Sequence, residues 1–126
     1  MRVKVYFNLH KKLFSVVAME GSSKGRVIKH VSEIELERCS FRVQKAGRKK
    51  VLAERKKNVH AYILGHTSEH KLPNLAYTGE ATYNPYKYST FVDRSDDSPI
   101  SYKSHCKLIA KDGRAKILTF NCALPF

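Results

Sequence analysis

No apolar run in the 126-residue sequence approaches the roughly 18 residues of a membrane-spanning helix. The first residues, Met1-Arg2-Val3-Lys4-Val5-Tyr6-Phe7, alternate basic and apolar side chains and lack the unbroken apolar segment of a secretory signal. Both absences point to a soluble, intracellular, cytoplasmic product. Cysteine is scarce too: Cys39, Cys106 and Cys122 are odd in number, far apart and without a CxxC pair. That excludes a disulfide framework and reads as reduced, packed thiols. Acidic residues are few, 11 Asp and Glu against 24 Lys and Arg, for a formal net charge of +13. Hydrophobic residues (42%) and charged residues (28%) stand near globular averages, so wholesale disorder is excluded and the length suits a single domain, 1–126.

The positive charge is concentrated. Residues 1–60 hold 16 basic and 5 acidic residues, a balance of +11, whereas residues 61–126 hold 8 and 6, a balance of +2. Within the first half, the stretch 45–57 carries Lys45, Arg48, Lys49, Lys50, Arg55, Lys56 and Lys57 against Glu54 alone. Like charges at this density repel unless an anion lies against them, which makes a polyanionic partner the leading expectation. A merely solvated cationic face is the bland alternative.

Hydrophobic periodicity divides the chain into strands and one helix. Val3, Val5, Phe7 and Leu9 alternate with polar residues as on a half-buried strand, and residues 13–19 and 26–31 give a second and a third. In residues 34–43 the apolar positions are Ile34 and Leu36, then Cys39, Phe41 and Val43. This slip from even to odd requires a β-bulge near Arg38-Cys39, or else two short strands. Good helix formers make 45–57 the one substantial helix. On a wheel centred on Val51, Arg55 falls at about 40° and Arg48 at about 60°, so two planar cations flank a short apolar stripe. Their stems can lie along the core edge while their guanidinium groups reach phosphate. A strand over 58–64 ends at Gly65, residues 66–79 with Pro73 form a long polar connection, and Asn84-Pro85-Tyr86-Lys87 is a turn. Residues 88–92 read as a strand and 93–99 as an acidic loop. Asp112-Gly113 between two alternating runs is a type I′ hairpin signal, and an exposed edge at that hairpin is a route to a homodimer. The fold class is α+β, mainly antiparallel sheet with one basic helix.

Catalytic patterns are wanting. The sequence has no phosphate-cradling glycine loop and no GxSxG elbow, and it calls for no cofactor. His66 and His70 have i, i+4 spacing but no HExxH order, and His105-Cys106 would face opposite sides of a strand, so no metal site is expected. His60 reads as a structural or surface histidine rather than a catalytic one. Asp93, Asp96 and Asp97 suit either a solvated loop or, less favoured, the divalent cation of a nuclease. Tyr77, Tyr83, Tyr86 and Tyr88 crowd twelve residues around Lys87, a combination that serves stacking on bases beside a phosphate contact. Tyr86, after Pro85, is the one expected to be exposed.

The strings Lys4-Val5-Tyr6-Phe7-Asn8-Leu9-His10-Lys11-Lys12, Lys57-Asn58-Val59-His60-Ala61-Tyr62 and Tyr83-Asn84-Pro85-Tyr86-Lys87 resemble segments of small, basic, uncharacterised proteins of tailed bacteriophages. The resemblance implies a short phage product acting in the host cytoplasm, one that binds nucleic acid or disables a host enzyme or defence. It carries no functional residue. The sequence thus leads to a non-enzymatic nucleic-acid-binding protein of low sequence specificity, binding DNA or RNA. Its contacts would be Lys45, Arg48, Lys49, Lys50, Arg55, Lys56 and Lys57, widened by Lys11, Lys12, Arg42, Tyr86 and Lys87. A modulator docking on an acidic surface of a host protein is the second expectation.

Overall fold

The computed structural model describes residues 1–67 and 77–120. Among them the order is β1 (Arg2–Asn8), β2 (Leu13–Ala18), β3 (Val27–Val31), β4 (Glu33–Val43), α1 (Lys45–Glu54), β5 (Ala61–Thr67), β6 (Gly79–Thr82), β7 (Val92–Asp93), β8 (Tyr102–Lys111) and β9 (Arg114–Phe120). These strands join one sheet in the order β3-β2-β1-β5-β4-β8-β9-β6-β7, and every pairing is antiparallel. Mainly antiparallel sheet with a single helix is the class that the periodicity indicates.

Alternation assigns the faces. Val3, Val5 and Phe7 of β1 stand opposite Ala18, Val16 and Phe14 of β2, and Val5 also faces Ile63 of β5, so one face collects apolar side chains. That face continues through Leu36 and Phe41 of β4, Leu108 of β8 and Ile117 of β9 to form the buried core. The sheet folds over this core far enough for β2 to lie against β8. At the rim the β1–β2 turn meets the β8–β9 turn, where the Lys12 side chain lies over Gly113.

The bend is made in β4. Its register against β5 shifts between Glu37 and Ser40, and Arg38 adopts the left-handed conformation, φ 51°. This is the bulge that the slip in apolar phase requires, and it turns Cys39 and Phe41 to the side already occupied by Ile34 and Leu36. Cys39 and Cys106 meet there as buried free thiols with their sulfurs 2.9 Å apart, and Cys39 Sγ–H points to the Leu36 carbonyl at 3.4 Å. Cys122 lies outside the described residues.

Gly65 corrects a sequence expectation. It does not end the strand but sits inside β5, which runs from Ala61 to Thr67 rather than over 58–64. A Cβ there would lie 3.1 Å from Leu36 Cβ and 3.3 Å from the Glu37 carbonyl oxygen, so a larger residue would be crowded where the bulged strand approaches its neighbour. His66 consequently belongs to β5, while His70 and Pro73 lie outside the described residues. Residues 88–92 also differ from expectation, since only Val92 and Asp93 form a strand. The carbonyl of Tyr88 is taken by the Arg48 side chain, and Lys87 and Tyr88 close a turn back onto Asn84.

At the hairpin, Asp112 and Gly113 both have positive φ, 54° and 73°, as a type I′ turn demands. Neither hairpin strand is an edge, however. β8 lies between β4 and β9, and β9 between β8 and β6, so the edge route to a homodimer is not at this hairpin. Among the described residues the outermost strands are β3 and the two-residue β7, and Val92 of β7 bridges further to Pro99.

Gly65→Ala is expected to lower stability by about 1–3 kcal/mol, because the added methyl overpacks the bulge; chemical denaturation monitored by tyrosine fluorescence measures it.

Candidate nucleic-acid interface

The basic stretch is helical only from Lys45 to Glu54. Gln44 enters extended and gives α1 no side-chain cap; its N–H instead donates to the His60 carbonyl at 2.8 Å, continuing the ladder. The inner side of α1 is small and apolar. Val51 is buried, and a Cβ on Gly47 would come within 2.4 Å of His60 Cβ. His60 is itself held at both nitrogens. Nδ1 faces the Asn58 side-chain and backbone oxygens at 2.9 and 3.2 Å and therefore carries the proton. Nε2 then accepts from the Tyr83 hydroxyl at 2.7 Å. Asn58 Nδ2 donates back to the Gly47 carbonyl at 3.4 Å, so the seat of α1 is a closed polar loop on the sheet. Burial raises the Tyr83 pKa against the opposing pull of Arg48, keeping the phenol a donor.

Two expectations for the arginines are corrected here. Arg48 is half-buried, and its Nε donates to the Pro85 and Tyr88 carbonyls at 3.1 and 2.9 Å, clamping the 84–88 turn to the helix. Arg55 leaves the wheel altogether. It is the left-handed C-cap, φ 54° and ψ 30°, donating its N–H to the Val51 carbonyl at 2.8 Å. The two guanidinium groups therefore do not share a helix face, and Lys56 and Lys57 follow beyond the helix end.

The lysines are what the helix turns outward. With Val51 at 0°, Lys45, Lys49 and Lys50 fall at about 120°, 160° and 260°, and all three are exposed. Exposed Arg55, Lys56 and Lys57 extend the row. None of the ion pairs recorded among the described residues, Met1–Glu20, Arg94–Glu80 and Lys107 with Glu33 and Glu35, involves it. The first turn of α1 holds no acidic residue, so the positive end of the helix dipole adds to the field of Lys45. Because Arg48 fastens the 84–88 turn here, Tyr86 and Lys87 stand next to the helix; Tyr86 is 55% exposed.

The other sequence-selected residues are dispersed. Tyr83 packs into the core against Phe91, and the Tyr88 hydroxyl donates to Asp97, which raises its pKa. Burial, reinforced by Glu35, pushes Tyr77 up to about 12. Lys12 lies with the β8–β9 turn, beside a basic hollow of about 420 Å³ lined by Arg94, Lys111, Arg114 and Lys116 together with Glu80 and Asp112. Arg42 is exposed on the outer sheet face, directly opposite Tyr62. On that face stand residues the sequence reading passed over. Lys4 Nζ lies 4.5 Å from the centre of the Tyr62 ring, and Tyr102, 53% exposed, is opposite Ser40. Lys4 and Tyr62 carry a period-two signal, each lying next to a core residue, whereas Tyr102 has the same parity as buried Cys106 and Leu108 and reaches the outer face only through its pairing with Ser40.

The carboxylates of Asp93 and Asp96 are bound into their own loop, while Asp97 accepts from Tyr88. Asp93 Oδ1 accepts from Ser95 Oγ and N–H at 2.6 and 2.9 Å, and Asp96 Oδ1 from Ser98 Oγ and N–H at 2.7 and 3.0 Å, which holds both pKa values below the ordinary 3.8. His66 is lowered from 6.5 by burial and then by Arg38, and His105 Nδ1 is 3.1 Å from Ser104 Oγ. Among the described residues, no three His, Cys, Asp or Glu side chains come together as metal ligands.

Gly47→Ala gains about 1 kcal/mol of helix propensity yet is expected to lower stability by about 1–2 kcal/mol, since α1 must lift off His60; thermal denaturation reads the net sign. Ser95→Ala is expected to raise the Asp93 pKa toward 3.8, measured by NMR titration. A depressed folded-state pKa stabilises the loop above the unfolded value and is lost as the pH falls through the folded one. The variant's loop should therefore loosen at higher pH than the wild type's.

No solved structure matches the chain. The gene 82 protein of Mycobacterium phage L5 is 41% identical to it over 105 residues, 79% of this chain and 82% of that protein. The profile of the family described as Mycobacterium phage L5 gene 82 protein matches residues 1–116, which include α1, the 84–88 turn and the outer-face tyrosines. By that span and that identity, the chain belongs to the Mycobacterium phage L5 gene 82 protein family, a family of bacteriophage gene products.

Proposed function

We propose that this phage protein binds nucleic acid in the host cytoplasm, engaging the phosphate backbone through the outward face of α1 and the cationic residues that follow it. One observation carries the reading: Lys45, Lys49 and Lys50 share an exposed face of a firmly seated helix, with no carboxylate of the described residues paired to them. Holding these charges together costs free energy that a row of phosphates would return. Arg55, Lys56, Lys57 and Lys87 extend the contact, whereas Arg48 serves it indirectly by fixing the turn that carries Tyr86 and Lys87. Phosphate contacts position a protein without reading bases, so sequence specificity is low. The role is binding rather than catalysis, in keeping with Asp93 and Asp96 carboxylates that serve their own turn and an Asp97 carboxylate that holds Tyr88.

With about five phosphates neutralised, log K is expected to fall with log salt at a slope near −4 to −5 on duplex DNA. Simultaneous Lys45→Glu, Lys49→Glu and Lys50→Glu substitution should abolish binding in fluorescence anisotropy while the circular dichroism spectrum is unchanged, because these side chains take no part in packing. Wild-type protein that fails to bind at low salt, or a triple variant that binds as well as wild type, overturns the reading. A single host protein captured from lysate after nuclease treatment would instead favour an acidic protein surface.

A further inference from the structure

The sheet face turned away from the core joins aromatic rings to cations across four adjacent strands. Lys4 and Tyr6 of β1, Tyr62 of β5, Ser40 and Arg42 of β4 and Tyr102 of β8 project from it, because Val5, Ile63 and Phe41 take the alternate, buried positions. Arg42 is directly opposite Tyr62, Lys4 approaches the same ring to 4.5 Å, and Tyr102 is more than half exposed. No carboxylate stands among these positions. The acidic residues Glu33, Glu35 and Glu37 of β4 lie on the other side of the bulge, where Lys107 engages the first two. Among the described residues the face is therefore acid-free at the end of β4 that leads, within three residues of Arg42, into Lys45 and α1.

Tyr102 is exposed and Tyr62 half-buried, neither belongs to the core cluster, and a ring beside a cation is what an unpaired base and its phosphate require. A duplex keeps its base faces stacked internally and offers such rings nothing. We infer that this face is a stacking platform for the unpaired bases of single-stranded nucleic acid. Tyr62 and Tyr102 are the stacking rings, Lys4 and Arg42 meet the flanking phosphates, and the lysines of α1 continue the track. The inference rests on the nucleic-acid reading above and names the ligand class for it. Lys4 covers one side of Tyr62 in the free protein; an arriving base takes that side, and the released ammonium turns to the backbone. A weak surface cation–π contact is thus exchanged for a base–ring stack.

The test compares a labelled oligothymidylate with a duplex of equal length, by anisotropy at low salt. Tyr62→Leu and Tyr102→Leu should each weaken single-strand binding by about 10–100-fold, leave duplex binding and its salt slope unchanged, and be rescued by Tyr62→Phe and Tyr102→Phe. The chain has no tryptophan and seven tyrosines, so quenching of its emission reports stacking on tyrosine rings. In a Tyr86→Leu background, quenching by the oligothymidylate should persist, and this measurement needs no change on the sheet face. Wild-type protein that binds the single strand without quenching in that background, or leucine variants that bind it undiminished, overturns the platform and leaves the nucleic-acid reading standing. Failure of the wild type to bind either nucleic acid overturns both.

Discussion

Side chains alternate along a strand, so a strand with one buried face cannot change the parity of its apolar residues without an extra residue. β4 carries Ile34 and Leu36 inward and then Cys39 and Phe41, and the left-handed Arg38 supplies the missing step. Were β4 regular, Arg42 would share a face with Leu36 and be driven into the core, while Phe41 would meet water. The bulge thus sets which way the sheet bends, where Gly65 is crowded, and that Arg42 emerges opposite Tyr62 on the open face. Core and candidate interface are two consequences of one local irregularity.

A similar economy governs α1. A helix so rich in lysine has little apolar surface with which to hold a sheet, and Val51 is its buried residue. Attachment comes from close backbone approach at Gly47, the His60–Tyr83–Asn58 hydrogen bonds and the Arg48 clamp, none of which uses the outward lysines. Packing and exposed charge are assigned to different residues of the same ten. Several basic residues also occupy strained backbone: Lys12, Arg38 and Arg55 all have positive φ, which costs an ordinary side chain on the order of 1 kcal/mol.

Local chemistry was legible from the sequence where short-range rules decide it. The Asp112-Gly113 hairpin follows from the positive φ that both residues tolerate, the bulge from the parity slip in 34–43, and the existence of a helix after Gln44 from propensity. Errors arose where distant residues intervene. Propensity carries the helix on to residue 57, because Arg55 suits a helix as well as it serves a left-handed cap. Gly65 resembled a terminator because the chain that crowds it, Leu36 and Glu37, lies nearly thirty residues away. Arg48 read as a phosphate contact because nothing near it in sequence reveals the Pro85 and Tyr88 carbonyls that occupy it.

What the amino-acid order determined by itself was the excess of positive charge, its concentration in residues 45–57 and the inward and outward parity of each strand, since composition and alternation are properties of neighbours along the chain. Tertiary structure decided the rest. It chose which cations remain unpaired and which are held by carbonyls, it packed half-buried Tyr83 against the core and left Tyr86 and Tyr102 in the open, and it set Arg42 opposite Tyr62 on the neighbouring strand. Those outcomes depend on pairing register and on the fold of the sheet, which bring together groups that sequence separates by twenty to forty residues.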